Sequence, residues 1–572
     1  MSNNTELVKL FDDFWQWRMK EFPEFSSLCG FKKYDNKLDD FSLQSFDKKA
    51  AEASEFLVKA NTIKQSLDLN FDDEMNLLLF EEQLKCYING HKYKMYLMPV
   101  NFMENVVADF QQLSTWTTFA VEEDFKNYIE RLKAFPTKLE QVIGLLEEGI
   151  KTGIVSHHSS LMGVCDNIEK VINSKPTDNF FYQPLKACTS QTIIQSAIDC
   201  ICNDIQPALE KFQSYLQNVY LKNTRKEEGI RSLPNGKEIY QACIDFHLTD
   251  TNVHTAEELH QIGLEEIEKI KMRMDAIMKK ANFQGNFKEF LHFLRNNSQF
   301  YFESSEETLA EYKRITFDVI RPKLELLFKN IPKSNLTVDM TPSSKPDAAV
   351  AFYSAGTPDG SRPGTVYVNV RNPKMLGSYE MTTLALHEGE PGHHFQTMYS
   401  AEMTDEPQFK LNMEDMNYFM APARFPICTG FMEGWGLYCE SLGYEMGLYN
   451  NPYDEYGCLS FDAHRICRLV VDTGLHVLGW TEEKAVQYIL DNTAITEKFA
   501  INEVRRYISL PGQALAYKFG QMKIRALRQL MKDKLQEKYD IKDFHELVLK
   551  CGCTSLSVLE KVVNNKIREI SE

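Results

Sequence analysis

Apolar residues recur at helical spacing through most of the chain. After Thr255 the positions between them are charged, and Thr255-Ala-Glu-Glu258 has the form of a capping box at the start of a helix. The apolar positions of this stretch are Leu259, Ile262, Ile267, Ile270, Met274 and Ile277. Similar patterns run through residues 124–152, 189–221, 310–329 and 520–539. The spacing predicts a mainly α-helical protein.

A short β-element interrupts this helical pattern. Residues 349–354 and 365–370 are strand-like runs, and the second places alternate valines on one face. A turn-rich connection (355–364) joins them, and a long run of loop signals (332–346) precedes them. These changes predict soft boundaries near residues 340 and 525. The predicted regions are a helical wall (1–340), a catalytic region with the β-element (341–525) and C-terminal helices (526–572).

Composition limits the class of protein. The 572 residues are 43% hydrophobic and 12% aromatic, which is enough for packed cores and excludes wholesale disorder. The net charge of −17 argues against binding nucleic acid or an anionic membrane, because both need clustered cations. The 13 cysteines are an odd number scattered along the chain, which favours free thiols over a disulfide framework.

The sequence carries no recognisable targeting signal. Among the first 20 residues, Glu6, Asp12 and Asp13 interrupt the apolar positions, so the apolar core of a secretory signal is missing. No window approaches the roughly 18 uninterrupted apolar residues of a membrane span. We therefore expect a cytoplasmic protein with no membrane partner, and the sequence leaves the oligomeric state open.

The most unusual segment, residues 384–396, reads LALHEGEPGHHFQ. In an H-E-x-x-H helix, two histidines at i and i+4 share a face and bind one zinc ion, and the glutamate acts on a water molecule there. Here His387 is followed by histidines at i+6 and i+7, and i+7 lies about 10.5 Å along an undistorted helix. Two nitrogens on one zinc ion lie only about 3–4 Å apart. A straight helix therefore cannot close such a site.

Pro391 and Gly392 offer a way to close it, because proline breaks the helical hydrogen-bond ladder and glycine permits a bulge. Looping out two residues would bring His393 to the ligand position, and looping out three would bring His394. We predict His393 as the ligand, with His394 facing the substrate or supporting a ligand. The alternative is a helix that ends at Pro-Gly beside ordinary histidines. The roughly 4 kcal/mol cost of Pro and Gly inside a helix favours a functional site.

A third ligand is expected from a second helix. Glu433 and Glu440 are seven residues apart in EGWGLYCE and hence share a helical face. We predict Glu433 as the ligand and Glu440 as the hydrogen-bond acceptor for the outer nitrogen of a ligating histidine. A solvated surface pair is the alternative, but the flanking apolar residues indicate a buried helix, where an unpaired carboxylate is costly.

Two further segments carry candidate polar groups. Arg468, Asp472 and His476 recur every four residues in an apolar run. They form either a buried Arg468–Asp472 ion pair beside a core histidine, or groups that reach a substrate carboxylate or an oxyanion. A later Pro-Gly turn opens a helix that carries Gln513 and Tyr517. Tyr517 is interpreted either as an oxyanion donor or as a packed core residue.

These segments resemble the hallmark blocks of the domain of unknown function 885 family. The blocks are GSRPGTVYVNV, TLALHEGEPGHHFQ, EGWGLYCE, RLVVDTGLHVLGW and EVRRYISLPGQALAYKFG, in that order, and GFKKYDNKLDDFS resembles the opening block. The resemblance runs from Gly30 to about Gly520. It implies a two-lobed, mainly helical fold like that of zinc metallopeptidases and related to the gluzincins. One departure is Gly389, where several relatives have a bulkier residue.

The resemblance also implies roles for individual residues. The implied zinc ligands are His387, His393 and Glu433. Glu388 would be the general base. His476 and Tyr517 resemble the histidine and tyrosine that stabilise the oxyanion in helical oligopeptidases.

We therefore expect a zinc-dependent hydrolase that cleaves peptide (amide) bonds, with a short peptide or a small amide as its substrate. Strand 365–370 would bind an extended peptide by edge addition. Arg362 in the preceding turn would hold a terminal carboxylate, unless that turn is only structural. The alternatives are a zinc amidohydrolase that acts on a small-molecule or specialised-metabolite amide, and a catalytically inactive helical binding protein.

Overall fold

A computed structural model describes most of the chain: residues 4–341, 350–356, 362–371, 376–403, 405–412, 417, 418, 420 and 422–572. Within these residues the protein is mainly helical and has one three-stranded sheet. The expected first residue of the first strand, Ala349, and the turn residues 357–361 lie outside the described residues. No helix in the described part is long and apolar enough to cross a membrane.

Helices fill the chain before the sheet, which confirms the interpretation of the apolar spacing. They are α1 (Thr5–Glu21), α2 (Pro23–Leu28), α3 (Leu43–Ser66), α4 (Phe71–Lys92), α5 (Val106–Trp116), α6 (Glu122–Thr152), α7 (Val164–Ile172), α8 (Gln191–Cys200), α9 (Gln206–Asn218), α10 (Gly236–Leu248), α11 (Ala256–Lys280), α12 (Phe287–Asn296) and α13 (Ser305–Arg314). The predicted capping box begins α11: the Glu258 amide donates to Thr255 Oγ1 at 3.2 Å, and the Thr255 amide donates to the Glu258 carboxylate at 2.9 Å.

The sheet differs from the predicted β-element in two ways. Its strands are β1 (Leu336–Met340), β2 (Ala351–Ser354) and β3 (Gly364–Val368), in the order β1-β3-β2. β1 lies within a segment predicted as loop, and it pairs parallel to β3. β2 pairs antiparallel on the other side of β3. Because both edges of β3 are occupied, the prediction that strand 365–370 adds a peptide at its edge is wrong.

A second set of helices follows the sheet. They are α14 (Ser378–Glu388), α15 (His393–Ala401), α16 (Gln408–Leu411), α17 (Thr429–Glu445), α18 (Pro452–His476), α19 (Glu482–Asn492), α20 (Glu497–Ser509), α21 (Ala516–Leu535), α22 (Ile541–Lys550) and α23 (Leu556–Ser571). α18 packs along α11 and α14, and α17 packs along α21. A Cβ atom on Gly520 of α21 would overlap the carbonyl oxygen of Gly430 of α17, so these two helices meet backbone to backbone.

Buried apolar side chains form one large cluster and two smaller ones in the described residues. The largest extends from Leu7 to Ile567 and takes side chains from all three predicted regions. A second lies mostly among α5 to α9, and a third lies among α11, α12 and α18 to α20. The boundaries near 340 and 525 stay predictions, but neither separates the largest core into independent parts.

Candidate metal centre

The histidine segment leaves the helical path for four residues. α14 ends at Glu388, and α15 begins at His393. A Cβ atom on Gly392 would overlap the carbonyl oxygen of His387, so this close return of the chain requires glycine. The carbonyl oxygen of Pro391 accepts hydrogen bonds from α17, from Trp435 Nε1 at 2.9 Å and from Cys439 Sγ at 3.4 Å. The excursion is therefore longer than the two-residue bulge expected from the sequence, and α17 holds it in place.

This excursion brings two histidines to a glutamate of α17. His387 Nε2 lies 3.5 Å from Glu433 Oε2, and His393 Nε2 lies 3.4 Å from the same oxygen. One potential ligand atom from each of the three residues lies within 4.8 Å of the others. The side chain of His387 is 3% exposed, whereas those of His393 and Glu433 are 16% and 19% exposed. Three donors thus converge where solvent reaches one side, and they could hold a metal ion.

His394 points to the sheet rather than to this cluster. Its side chain is fully buried, and Nδ1 lies 3.2 Å from the hydroxyl of Tyr353 in β2. A Cβ atom on Gly364 at the start of β3 would lie 2.5 Å from the same nitrogen. The structure therefore brings His393, and not His394, to His387 and Glu433. The expectation that His394 faces the substrate has no support in these contacts.

Glu440 lies behind His387. Nδ1 of His387 and Oε1 of Glu440 are 2.8 Å apart, and Arg465 Nη2 lies 3.8 Å from the same carboxylate oxygen. A Cβ atom on Gly436, between the two glutamates of α17, would lie 2.8 Å from His387 Cε1. The imidazole therefore fits against a glycine backbone and a carboxylate, which fixes the ring in one orientation.

Two carboxylates make this cluster attractive to positive charge. Burial disfavours a charge on His387, but hydrogen bonds to Glu433 and Glu440 outweigh it and raise the pKa of His387 to about 9. Burial likewise disfavours a charge on Glu433, while its contacts with His387 and His393 hold the pKa of that carboxyl well below its usual range. A proton or a metal cation can supply the positive charge that these groups favour.

Glu388 is half-buried at the end of α14. Burial raises the pKa of the nearby Tyr312 phenol, and the charges of Glu380 and Glu388 raise it further. The charge of Glu388 also helps to raise the pKa of His387. The charge of the Glu388 carboxylate thus acts on the cluster, but Glu388 is not one of the three converging donors.

Sequence reasoning missed Arg321. Its Nε and Nη2 atoms each donate to the Glu390 carboxylate at 2.9 Å, in a two-pronged ion pair with a buried partner. Glu390 belongs to the four-residue excursion, so this pair ties the excursion to the segment that contains Arg321. The sequence carried no signal for this pair, because Arg321 is 69 residues away from Glu390.

Of the two interpretations of Arg468, Asp472 and His476, the one with an Arg468–Asp472 ion pair is wrong. Arg468 Nη2 donates to Glu503 of α20 at 2.6 Å instead. Asp472 accepts hydrogen bonds from the Tyr240 hydroxyl and from the Gly512 amide. Burial raises the pKa of Asp472 to about 7 despite these hydrogen bonds. Asp472 therefore joins α18 to α10 and to the turn before α21.

His476 is held by backbone groups on both sides. The Ile230 amide donates to Nδ1 at 3.1 Å, and Nε2 lies 3.0 Å from the carbonyl oxygen of Tyr507, to which it donates. Burial lowers the pKa of His476 to about 3. Because both ring nitrogens are occupied, His476 cannot serve as the expected oxyanion donor in this arrangement.

The other expected site residues lie in two places. Tyr517 Oη accepts hydrogen bonds from Arg506 Nη2 and Gln513 Nε2, each at 3.2 Å. The guanidinium carbon of Arg468 lies 4.3 Å from the centre of the Tyr517 ring. Arg362 is exposed in the turn before β3. Tyr517 and Gln513 thus belong to one buried polar cluster with two arginines, whereas Arg362 lies apart from them.

Two solved structures resemble the whole chain. One, described as a "putative lipoprotein" from Colwellia psychrerythraea, has a TM-score of 0.88 at 25% identity and covers 98% of this chain and 99% of that chain. The other, a "putative lipoprotein of unknown function" from Shewanella oneidensis, has a TM-score of 0.71 at 17% identity, with 98% and 99% covered. At 17% identity, the likeness to the second structure shows a shared fold alone. No curated protein matches the chain.

These descriptions overturn the expected cytoplasmic location. Both similar chains carry the description "putative lipoprotein", and a covalent lipid attaches a protein to a membrane. The cytoplasmic expectation relied on the pattern of the first 20 residues, and the description of the relative that is 25% identical contradicts it.

The family resemblance of the sequence blocks is confirmed. A model of the family described as "Bacterial protein of unknown function (DUF885)" matches residues 23–563. The match extends beyond the blocks at both ends and includes nearly all helices and the sheet. The chain therefore belongs to the DUF885 family.

Proposed function

We propose that this protein is a zinc-dependent hydrolase of amide bonds in short peptides, with His387, His393 and Glu433 as the zinc ligands. The observation that carries the proposal is the convergence of two imidazoles and one carboxylate within 4.8 Å. Structural zinc sites use four protein ligands, whereas catalytic sites use three and keep one position open. The partial exposure of His393 and Glu433 is consistent with an open position on the solvent side.

The surrounding residues support this donor set. The carboxylate of Glu440 accepts the Nδ1 proton of His387, which leaves Nε2 as the ligand atom. Trp435 and Arg321 hold the excursion that positions His393. When bound, zinc supplies Lewis acidity to water and to the reacting carbonyl group.

The chain's own groups would carry the proton transfers. Glu388 takes a proton from the attacking water and then passes it to the leaving amine. Tyr517 accepts two hydrogen bonds on its oxygen, so its own proton is available for the developing oxyanion. His476, whose nitrogens are occupied, has no part in this mechanism.

Burial of the cluster supports a short and flexible substrate. The side chain of His387 is 3% exposed, and its two partners in the cluster are each less than one-fifth exposed. An amide bond in a folded protein has little freedom to enter such a recess, whereas a short peptide does. Equal cleavage of a folded protein and of an octapeptide would contradict this part of the proposal.

Metal analysis is the first test. Protein purified without chelator should contain about one equivalent of zinc, and His387→Ala should lose it. His292→Ala, which removes an exposed histidine of α12, is the matched control and should keep it. Less than one-tenth of an equivalent in the unaltered protein would instead favour a metal-free binding protein.

A peptide-library digest read by mass spectrometry tests the reaction itself. The zinc-loaded protein should produce new amide cleavages, and Glu388→Gln should abolish them while keeping zinc. Glu325→Gln, at an exposed glutamate, serves as the control and should cleave normally. Cleavage that survives in Glu388→Gln would overturn the assigned base.

A further inference from the structure

A buried polar cluster joins α18, α20 and α21. We call it the arginine cluster, and its members are Arg468, Glu503, Arg506, Gln513 and Tyr517. Glu503 Oε2 accepts a hydrogen bond from Arg468 at 2.6 Å, and Glu503 Oε1 lies 3.8 Å from Arg506 Nη1. The other nitrogen of Arg506, Nη2, donates to Gln513 and to Tyr517. A single carboxylate therefore lies between two guanidinium groups.

The arginine cluster carries one positive charge in excess. His464 Nε2 lies 3.5 Å from Glu503, but burial lowers the pKa of His464 to about 4, so this imidazole is neutral at pH 7. Arg468 is only 5% exposed, and among the described residues its Nη1 has no hydrogen-bond partner. A buried guanidinium with an unpaired nitrogen is costly unless an anion completes its contacts.

Neighbouring charges do not remove this excess. Asp109 pairs with Arg424 at 2.6 Å, so its charge is already balanced. Glu104 lies 3.8 Å from the same arginine, and burial raises the pKa of Glu104 to about 7 despite the attraction of Arg424. Glu104 is thus only partly charged at neutral pH. The described neighbours therefore leave the positive charge of Arg468 and Arg506 only partly balanced.

The arginine cluster lies next to the elements of the metal centre. Gly434, which follows Glu433, contacts Gly520. Tyr517 precedes Gly520 by three residues, about 4.5 Å along α21. On α18, Arg465 lies 3.8 Å from Glu440, and Arg468 follows it by one turn. Access is available at Arg506, whose side chain is 25% exposed.

We propose that Arg468 Nη1 and Arg506 Nη1 bind the terminal carboxylate of a peptide substrate. Tyr517 contacts both arginines, and its helix α21 packs along α17, which carries Glu433. The substrate class is therefore peptides with a free C-terminus, cleaved within a few residues of that end. The binding step stands on the arginine cluster alone, and the cleavage step rests on the proposed hydrolase function.

The test separates binding from cleavage. The full-length Glu388→Gln variant, as purified, is titrated calorimetrically with an N-acetylated tripeptide and with its C-terminal amide. We expect the free acid to bind at least about tenfold more tightly, because charge-assisted hydrogen bonds to a carboxylate are lost in the amide. Arg506→Gln should remove this preference and Arg506→Lys should retain part of it. Arg505→Gln is the control, since Arg505 pairs with Glu482 outside the cluster.

Each outcome distinguishes the two proposals. Equal binding of acid and amide overturns the carboxylate site, whatever the protein cleaves. Selective binding of the acid that Arg506→Gln abolishes supports the site even if no peptide is hydrolysed. Inorganic phosphate that binds as tightly as the peptide acid and displaces it would overturn the assignment to a terminal carboxylate. In the unaltered protein we expect peptides with a free C-terminal carboxylate to be cleaved at least about tenfold faster than the same peptides with a C-terminal amide.

Discussion

Glu440 Oε1 and His387 Nδ1 lie 2.8 Å apart, with the carboxylate on the side of the imidazole opposite Glu433. The carboxylate therefore selects the tautomer that presents Nε2 to the cluster. Loss of such a partner generally lowers metal affinity about 10–100-fold. We expect Glu440→Gln to weaken zinc binding by this amount, measured by competition with a chromogenic chelator.

Glu445→Gln is the control for that measurement. Glu445 lies on the same helix, but its carboxylate pairs with Arg528 at the surface. Its replacement should leave zinc affinity unchanged. Unaltered affinity in Glu440→Gln would show that the hydrogen bond to His387 does not orient a ligand.

His393 and His394 are neighbours in sequence with opposite surroundings. His393→Ala removes one of the three converging donors and should abolish stoichiometric zinc binding. His394→Ala should keep the zinc but lower the free energy of unfolding, because it empties a buried position beside Tyr353. Metal analysis and urea unfolding of both variants distinguish the two roles, and the reverse result would exchange the two histidines in the proposal.

Gly436 allows α17 to approach His387. A Cβ atom at Gly436 would lie 2.8 Å from the ring, so Gly436→Ala should displace the imidazole and weaken zinc binding by at least about tenfold. The matched control is Gly144→Ala in α6, where an added Cβ meets nothing within 4 Å. That change should stabilise the protein by about 0.4–1 kcal/mol and leave zinc binding intact. Equal zinc affinity in the two variants would contradict this close fit.

His476 should make the protein sensitive to acid. Burial lowers its pKa to about 3, so the folded protein does not take up the proton that the unfolded chain binds below about pH 6.5. The contribution of this histidine to the free energy of unfolding is present above pH 6.5 and is lost as the pH falls towards 3. Its share of the loss between pH 7 and pH 5 is about 2 kcal/mol of unfolding free energy.

Urea unfolding at the two pH values measures this loss. His476→Asn should have a smaller difference between pH 7 and pH 5 than the unaltered protein. His292→Asn, at an exposed position, should keep the full difference. An unchanged pH dependence in His476→Asn would mean that other buried groups cause the acid sensitivity.

The sequence predicted what depends on local spacing. The capping box at Thr255 and the long helices follow from contacts between residues three or four apart. The spacing between His387 and His393, interrupted by Pro-Gly, also indicated which residues converge with Glu433. Their role as metal ligands stays a prediction that the proposed experiments address.

The sequence did not predict contacts between segments that are far apart in the chain. Arg468 pairs with Glu503, 35 residues away, rather than with Asp472 one turn along its own helix. β1 forms in a segment rich in turn residues because β3 offers it a hydrogen-bonding edge. Both errors arise because the sequence pattern shows which residues share an element, but not which element lies opposite.

The largest apolar core, which runs from Leu7 to Ile567, has a consequence for how the protein can be divided. A fragment restricted to residues 341–525 would keep all the candidate ligands but would expose the apolar faces that now pack against both ends of the chain. Such a fragment should aggregate rather than fold. The candidate ligands can therefore be moved into another protein only together with the whole helical scaffold.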